Sequence, residues 1–179
     1  MRQLFNNEIM DETVKLVAKK MLLAAKTAPK GKGADNLVAC IVDGNDISSI
    51  ADKLRIMASE HDMPAFARDA DNILSAACVI LLGTKIRPLG LKKCGLCGFV
   101  NCEKKMEFEN VPCAFNSGDL GIAIGSAVSI AADARVDNRI MYTVGQAVLE
   151  LGLLGDDVKI IYAIPLSASG KNPFFDRLA

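Results

Sequence analysis

From Ile9 to Ala25 the apolar residues Val14, Val17, Met21 and the Ala24/Ala25 pair recur every three to four positions. That period predicts an amphipathic helix. It breaks at Lys26-Thr-Ala-Pro29, and Lys30-Gly-Lys-Gly-Ala-Asp35 then reads as a loop. Leu37-Val-Ala-Cys-Ile-Val42 is a short apolar run closed by Asp43-Gly44, the pattern of a buried strand. Ile47, Ile50, Leu54, Met57 and His61 mark one helix face, with Asp46 or Ser49 available to cap its start. Ala76 to Leu82 predicts a second buried strand ended by Gly83, and Val158 to Ile164 a third stopped by Pro165. Between them two more helices are expected. Asp119 to Ala132 is apolar on nearly every face, which predicts burial all round. Its Gly121, Gly125 and Ser129 form a small-residue stripe that permits a close helix neighbour, in the same chain or in a dimer partner. The other shows Ile140, Val144, Val148 and Leu151 on one face, with Asp137 as its cap and Gly152 at its end.

Helices interspersed with strands in this way predict an α/β or α+β sandwich around a small sheet. At 179 residues the chain suits one domain, or one domain with an insertion. Repeats and low-complexity segments are absent. Hydrophobic residues make up 51% of the chain, yet no apolar run reaches the ~18 to 20 residues that span a bilayer. That surface is therefore expected in a core or an oligomer interface. The opening Met1-Arg-Gln-Leu-Phe lacks the apolar region of a signal peptide, so a cytoplasmic protein is expected. Lys plus Arg (21) equals Asp plus Glu (21), which argues against a field that recruits nucleic acid or an anionic membrane.

The chemistry concentrates in one stretch. Cys94, Cys97, Cys102 and Cys113 follow the spacing C-x2-C-x4-C-x10-C. Four soft thiolates this close can surround one metal centre. The C-x2-C pair is a chelating hook, and Gly95 and Gly98 suit its tight turn. An iron–sulfur cluster and a tetrahedral zinc both use such ligands. Zinc sites more often pair one hook with a second, whereas Cys102 and Cys113 have ten residues between them. A cluster is wider than an ion and accepts three close cysteines and one remote. The spacing therefore favours a [4Fe–4S] cluster, with structural zinc as the alternative. Lys92, Lys93, Lys104 and Lys105 flank the hook and would offset part of a cluster's negative charge, although a solvated loop also explains them. Cys40 and Cys78 stand apart in apolar runs and read as core. A reducing compartment makes disulfides the weaker expectation.

Other chemistries find little support. His61 is the single histidine and reads as structural, so no His-rich metal site can form. No Ser/His/Asp elbow is present. Asp133 and Asp137 read as helix-end and cap residues. There is no tryptophan, and basic patches interleaved with aromatics are missing, which speaks against a nucleic-acid platform.

Ala24-Ala-Lys-Thr-Ala-Pro29 followed by Asn36-Leu-Val-Ala-Cys-Ile-Val42 resembles the helix–loop–strand of FMN-dependent nitroreductases. Asp119-Leu-Gly-Ile-Ala-Ile-Gly-Ser-Ala127, Glu150-Leu-Gly-Leu-Leu-Gly155 and Tyr162-Ala-Ile-Pro-Leu166 resemble that family's later helices and final strand. Joined to the cysteine loop, they resemble the uncharacterised prokaryotic proteins that contain a ferredoxin domain. The resemblance implies an α+β, nitroreductase-like fold over residues 1–179, with an iron–sulfur insertion at about 86–116. It also implies a homodimer and a flavin pocket beside Ala28-Pro29 and Asn36 at the dimer interface. Nitroreductases carry an Arg-x-Ser-type element near the N-terminus for the FMN phosphate, and Met1-Arg-Gln-Leu-Phe5 does not match it. Lys171 and Arg177 are the basic residues left near the end. Lys26, Lys30, Lys32 and Asn36 are the candidates to take over the phosphate, the alternative being a flexible basic turn. The function implied is a [4Fe–4S] redox protein, in one form a small flavin-linked oxidoreductase whose cluster relays single electrons. The other form is a non-enzymatic carrier, sensor or zinc module on a fold that has lost its flavin.

Overall fold

A computed structural model describes residues 6–175, so the readings placed on Met1–Phe5 and Arg177 lie outside the described residues. Helix α1 (Asn6–Thr27) leads through a single 3-10 turn (Gly31–Gly33) into strand β1 (Leu37–Val42). Helices α2 (Asn45–His61) and α3 (Pro64–Leu74) follow, then β2 (Cys78–Lys85). A long connection holds one short helix, α4 (Cys102–Met106), before α5 (Ala114–Asp133). The chain closes with β3 (Asp137–Asn138), α6 (Tyr142–Glu150) and β4 (Val158–Ser167).

The four strands form one antiparallel sheet in the order β1-β2-β4-β3. Strand side chains alternate between faces, and the sheet uses both. Cys78, Ile80 and Leu82 point to the layer made by α1 and α5. Val79 and Leu81 point to the layer made by α2, α3 and α6. The result is a three-layer sandwich with a core on each side of the sheet. At Gly145 helix α6 comes so close to β4 that an added Cβ would sit 1.9 Å from the Ile161 carbonyl oxygen.

The pattern of the chain predicts most of this, and the departures have physical causes. Strand β4 runs through Pro165 to Ser167. The missing N–H of Pro165 has the same parity as Ala163, whose N–H donates toward Met141. It therefore faces the stretch where pairing skips from Met141↔Ala163 to Asn138↔Leu166, so no ladder bond is lost there. Strand β2 likewise continues through Gly83 to Lys85. Helix α2 starts after Gly44 without a side-chain cap, so neither Asp46 nor Ser49 serves, and His61 is exposed at its end. Helix α6 begins at Tyr142, leaving Ile140 exposed and Asp137 in β3 in place of a cap. Helix α5 is not buried all round: Gly118, Gly121, Ile122, Gly125 and Ser129 lie on an exposed strip. Helix α3 has no counterpart in the apolar pattern.

Asp69 explains how the segment at Phe174 is fastened. It is 1% exposed and accepts the Thr143 hydroxyl at 2.6 Å. Its other oxygen meets Arg68 at 2.9 Å and Arg139 at 3.3 Å. Arg139 in turn donates to the Phe174 carbonyl at 3.1 Å, and the Phe174 side chain is buried in the core beside α3 and α6.

Candidate metal centre and adjoining cleft

The four-cysteine segment occupies the connection from β2 to α5, outside the sheet. Its hook is a turn closed by the Gly98 N–H donating to the Gly95 carbonyl at 2.9 Å. Gly98 needs its glycine, with φ 87°, whereas Gly95 at φ 158° is nearly extended. Asn101 then caps α4, its side-chain oxygen accepting the Lys104 N–H at 2.8 Å. That cap starts the helix on Cys102 and turns it inward. Cys113 is the residue at which α5 begins, so it stands at the positive end of a 20-residue helix.

All six cysteines are free. Cys102 and Cys113 are buried, while Cys94 and Cys97 are half-buried. The N–H groups of Leu96 and Gly95 and the neighbouring Cys102 thiol bond the Cys94 sulfur, holding its thiol below its ordinary range. Among the described residues, no group of three or more His, Cys, Asp or Glu side chains is drawn together as for a metal ion. The donor set suits an anionic sulfur-ligated centre all the same: four free thiols on one segment, backbone donors at Cys94, and a helix start at Cys113. Cys78 and Cys40 are elsewhere, in the sheet. Burial pushes the Cys78 thiol up to about 11.

Two hollows adjoin the segment. One, of about 450 Å³, is lined by Lys93, Cys94, Leu96 and Phe115. The other, of about 440 Å³, lies between Pro29-Lys30-Gly31 and the start of α5, and Leu96 and Phe115 wall it too. Leu96 stands inside the C-x2-C hook and Phe115 follows Cys113 by two, so the cysteine segment and the loop after α1 face each other across shared side chains. Asp119 clamps that loop. It is 7% exposed and accepts the Gly31 N–H at 3.0 and 3.1 Å. A Cβ on Gly31 would meet the side-chain ends of Leu89 at 2.5 Å and Phe115 at 2.9 Å, so any larger residue there would push these two walls of the cleft aside.

Of the four expected phosphate residues, the three lysines have side chains bonded elsewhere. Lys30 donates to the carbonyls of Lys26 at 2.7 Å, Ala28 at 2.8 Å and Ala25 at 3.3 Å, closing the end of α1. Lys26 is paired with Asp35 and lines a separate groove with Leu22 and Leu82. Lys32, at φ 55°, donates to the Leu89 carbonyl at 3.2 Å. The Asn36 carbonyl accepts the Lys85 N–H at 3.1 Å, joining β1 to β2. Of the four lysines around the hook, Lys92, Lys93 and Lys104 are exposed and Lys105 is buried. The sequence reading missed Phe115, Asn116 and Asp119 as site residues. The signal for Asp119 was one acidic residue in an otherwise apolar stretch.

The model of a family described as uncharacterized proteins containing a ferredoxin domain matches residues 109–177. An uncharacterized protein of Archaeoglobus fulgidus is 40% identical over 178 residues, covering 95% of each chain. Among solved structures, a nitroreductase with bound FMN from Desulfitobacterium hafniense superposes with a TM-score of 0.60 at 14% identity, covering 87% of this chain and 78% of that one. A nitroreductase with bound FMN from Bacteroides fragilis gives 0.59 at 11%, covering 95% and 81%. A BluB-like flavoprotein from Clostridium difficile gives 0.55 at 18%, covering 95% and 87%. The fold is nitroreductase-like, as the sequence resemblance implies.

Proposed function

This chain belongs to the family of uncharacterized proteins containing a ferredoxin domain, and on that premise we propose that it is a redox protein carrying a [4Fe–4S] cluster. Cys94, Cys97, Cys102 and Cys113 are its ligands, in an insertion at about 86–116 of a single domain. The observation that carries the reading is the shared wall: Leu96 and Phe115 line both the hollow at Cys94 and the neighbouring cleft of about 440 Å³. When bound, a four-thiolate cluster supplies single electrons, because its irons have no open position for a substrate. The protein's own residues do the rest. Cys102 and Cys113 bury one side of the ligand set, Asn101 and the start of α5 fix where those sulfurs stand, and Asp119 holds the opposite wall of the cleft rigid.

A flavin in that cleft would make the protein a small oxidoreductase. A specific observation favours the second form of the reading, a carrier or sensor with little or no flavin. Lys26, Lys30 and Lys32 are all engaged, and a carboxylate already occupies the Gly31 N–H that a phosphate would need. Each charge-assisted phosphate bond forgone is about 1.5 to 3 kcal/mol. Two of them correspond to about two to four orders of magnitude in affinity.

Anaerobic purification followed by FMN titration tests both parts. The expected protein is brown, loses its colour with Cys97→Ser or Cys102→Ser, and quenches FMN fluorescence weakly or not at all. Stoichiometric zinc without iron would sink the cluster. One tightly held FMN per chain would sink the weak-flavin reading and promote the enzyme. We further propose a homodimer, with the exposed Gly118/Gly121/Gly125 strip of α5 as its contact. Among the described residues, no helix is long and apolar enough to cross a membrane.

A further inference from the structure

Two donors are buried in the cysteine segment with bonding capacity to spare. Lys105 is 2% exposed. It and Cys102 are the buried residues of α4, three apart and so on the same face of the helix. Its ammonium donates to the Phe108 carbonyl at 3.1 Å, one bond of the three it can make. The adjacent Lys104 is ion-paired with Glu107, but among the described residues no carboxylate pairs with Lys105. Taking a lysine out of water without an anion is strongly unfavourable.

Asn116 repeats the arrangement on the other side. It is 1% exposed and follows Cys113 by three on α5, where Cys113 is also buried. Its Oδ1 accepts the Arg87 N–H at 2.8 Å. That bond fixes which way the amide points and leaves Nδ2 buried with no partner. Each buried thiol thus has a buried, under-used donor three residues on. Exposed Lys92 and Lys93 face water and need no partner. Unmet donors at both buried ends of a thiol set call for negative charge that the thiols alone, when protonated, do not supply.

We propose that Lys105 is the buried counter-cation, and Asn116 the amide donor, of the metal centre held by the four cysteines, and that both raise its reduction potential. This rests on the cluster reading above. A four-thiolate cluster is anionic and gains a further negative charge when one electron enters. A cation and a hydrogen-bond donor beside its sulfurs stabilise the reduced form more than the oxidised one. Both are positioning residues that act through the sulfurs, and neither ligates iron.

The test uses anaerobically reconstituted full-length protein. Iron and sulfide are assayed first, and the centre is then titrated with dithionite while absorption and electron paramagnetic resonance are followed. Lys105→Met should weaken the reduced form about tenfold relative to the oxidised one, a fall of about 59 mV for a one-electron couple. Lys105→Arg should stay near the wild type. Asn116→Asp keeps the acceptor for the Arg87 N–H and removes the donor, and its potential should also fall. Without metal, Lys105→Met should melt higher than the wild type, because an uncompensated buried charge has gone. Loaded Lys105→Met and Asn116→Asp proteins with wild-type potentials would overturn the proposal and leave the cluster reading intact. Loss of loading in Lys105→Met but not Lys105→Arg would support it. Loss in both, or a lower melting point of metal-free Lys105→Met, would mark Lys105 as a packing residue and overturn its part. A wild type that takes up no iron would overturn the cluster reading, and this proposal with it.

Discussion

Lys30 shows how a residue's chemistry is decided by what lies within its reach. In sequence it is one cation of a Gly-Lys-Gly loop, suited to a phosphate. In the fold three carbonyls at the end of α1 converge on its ammonium, where the helix presents its partial negative charge. Lys30→Ala should therefore cost stability, about 1 to 2 kcal/mol for partly exposed charge-assisted bonds, or about 2 to 8 °C in Tm for a domain of this size. Calorimetry of the metal-free protein would check it, and FMN binding should not change. Cys78 gives a second expectation. Its thiol titrates near 9.0 when free and at about 11 in the fold because burial disfavours the thiolate. Below pH 9 both states hold the proton and Cys78 adds no pH dependence. Between pH 9 and 11 the unfolded chain ionises first, so stability is lost as pH rises, by about 2 to 3 kcal/mol at the upper end. Urea unfolding at pH 8 and pH 10.5 should show a smaller drop for Cys78→Ala than for the wild type. An equal drop would contradict the assignment.

At the scale of elements, two helical glycines predict opposite outcomes. A Cβ on Gly145 would drive into the β4 backbone, and backbone cannot step aside as a flexible side chain can. Gly145→Ala should destabilise by about 3 kcal/mol, the upper end of the overpacking range. Gly125 has nothing within 4 Å of its added Cβ, so Gly125→Ala should raise the stability of the isolated chain by up to about 1 kcal/mol through helix propensity. Thermal melts of the two variants would separate them. The same contrast explains what could be read from the chain. Helices α1, α2 and α6 and the three longer strands announce themselves because their buried faces are mainly apolar. Helix α3 does not, since its buried face includes Asp69 and Asn72 beside Phe66, Ala70 and Ile73. Helix α5 misleads in the other direction: its solvent-facing strip is glycine, serine and isoleucine where charges usually mark the outside. The four cysteines were legible because a chelating hook is local in sequence. The roles of Asn116 and Asp119 were not, because each depends on a distant backbone N–H that the fold brings near, and those of Lys30 and Lys105 were not, because burial and the local turn, which the apolar pattern does not encode, decide which carbonyls they meet.

At the scale of the molecule, a three-layer sandwich leaves the cysteine segment outside the sheet and the Gly118/Gly121/Gly125 strip open. The account expects that strip to be covered by a second copy. Light scattering at micromolar concentration should give a dimer mass, and Gly125→Leu, which fills the strip without touching a core, should shift it toward the monomer. A monomeric wild type would contradict the dimer. The central claim is the iron–sulfur centre, and it is met most directly by Mössbauer spectroscopy combined with iron and sulfide analysis of anaerobically reconstituted protein. The account predicts about four irons and four sulfides per chain in one cubane, abolished by Cys102→Ser. A chain that binds one zinc and no iron under those conditions would contradict it.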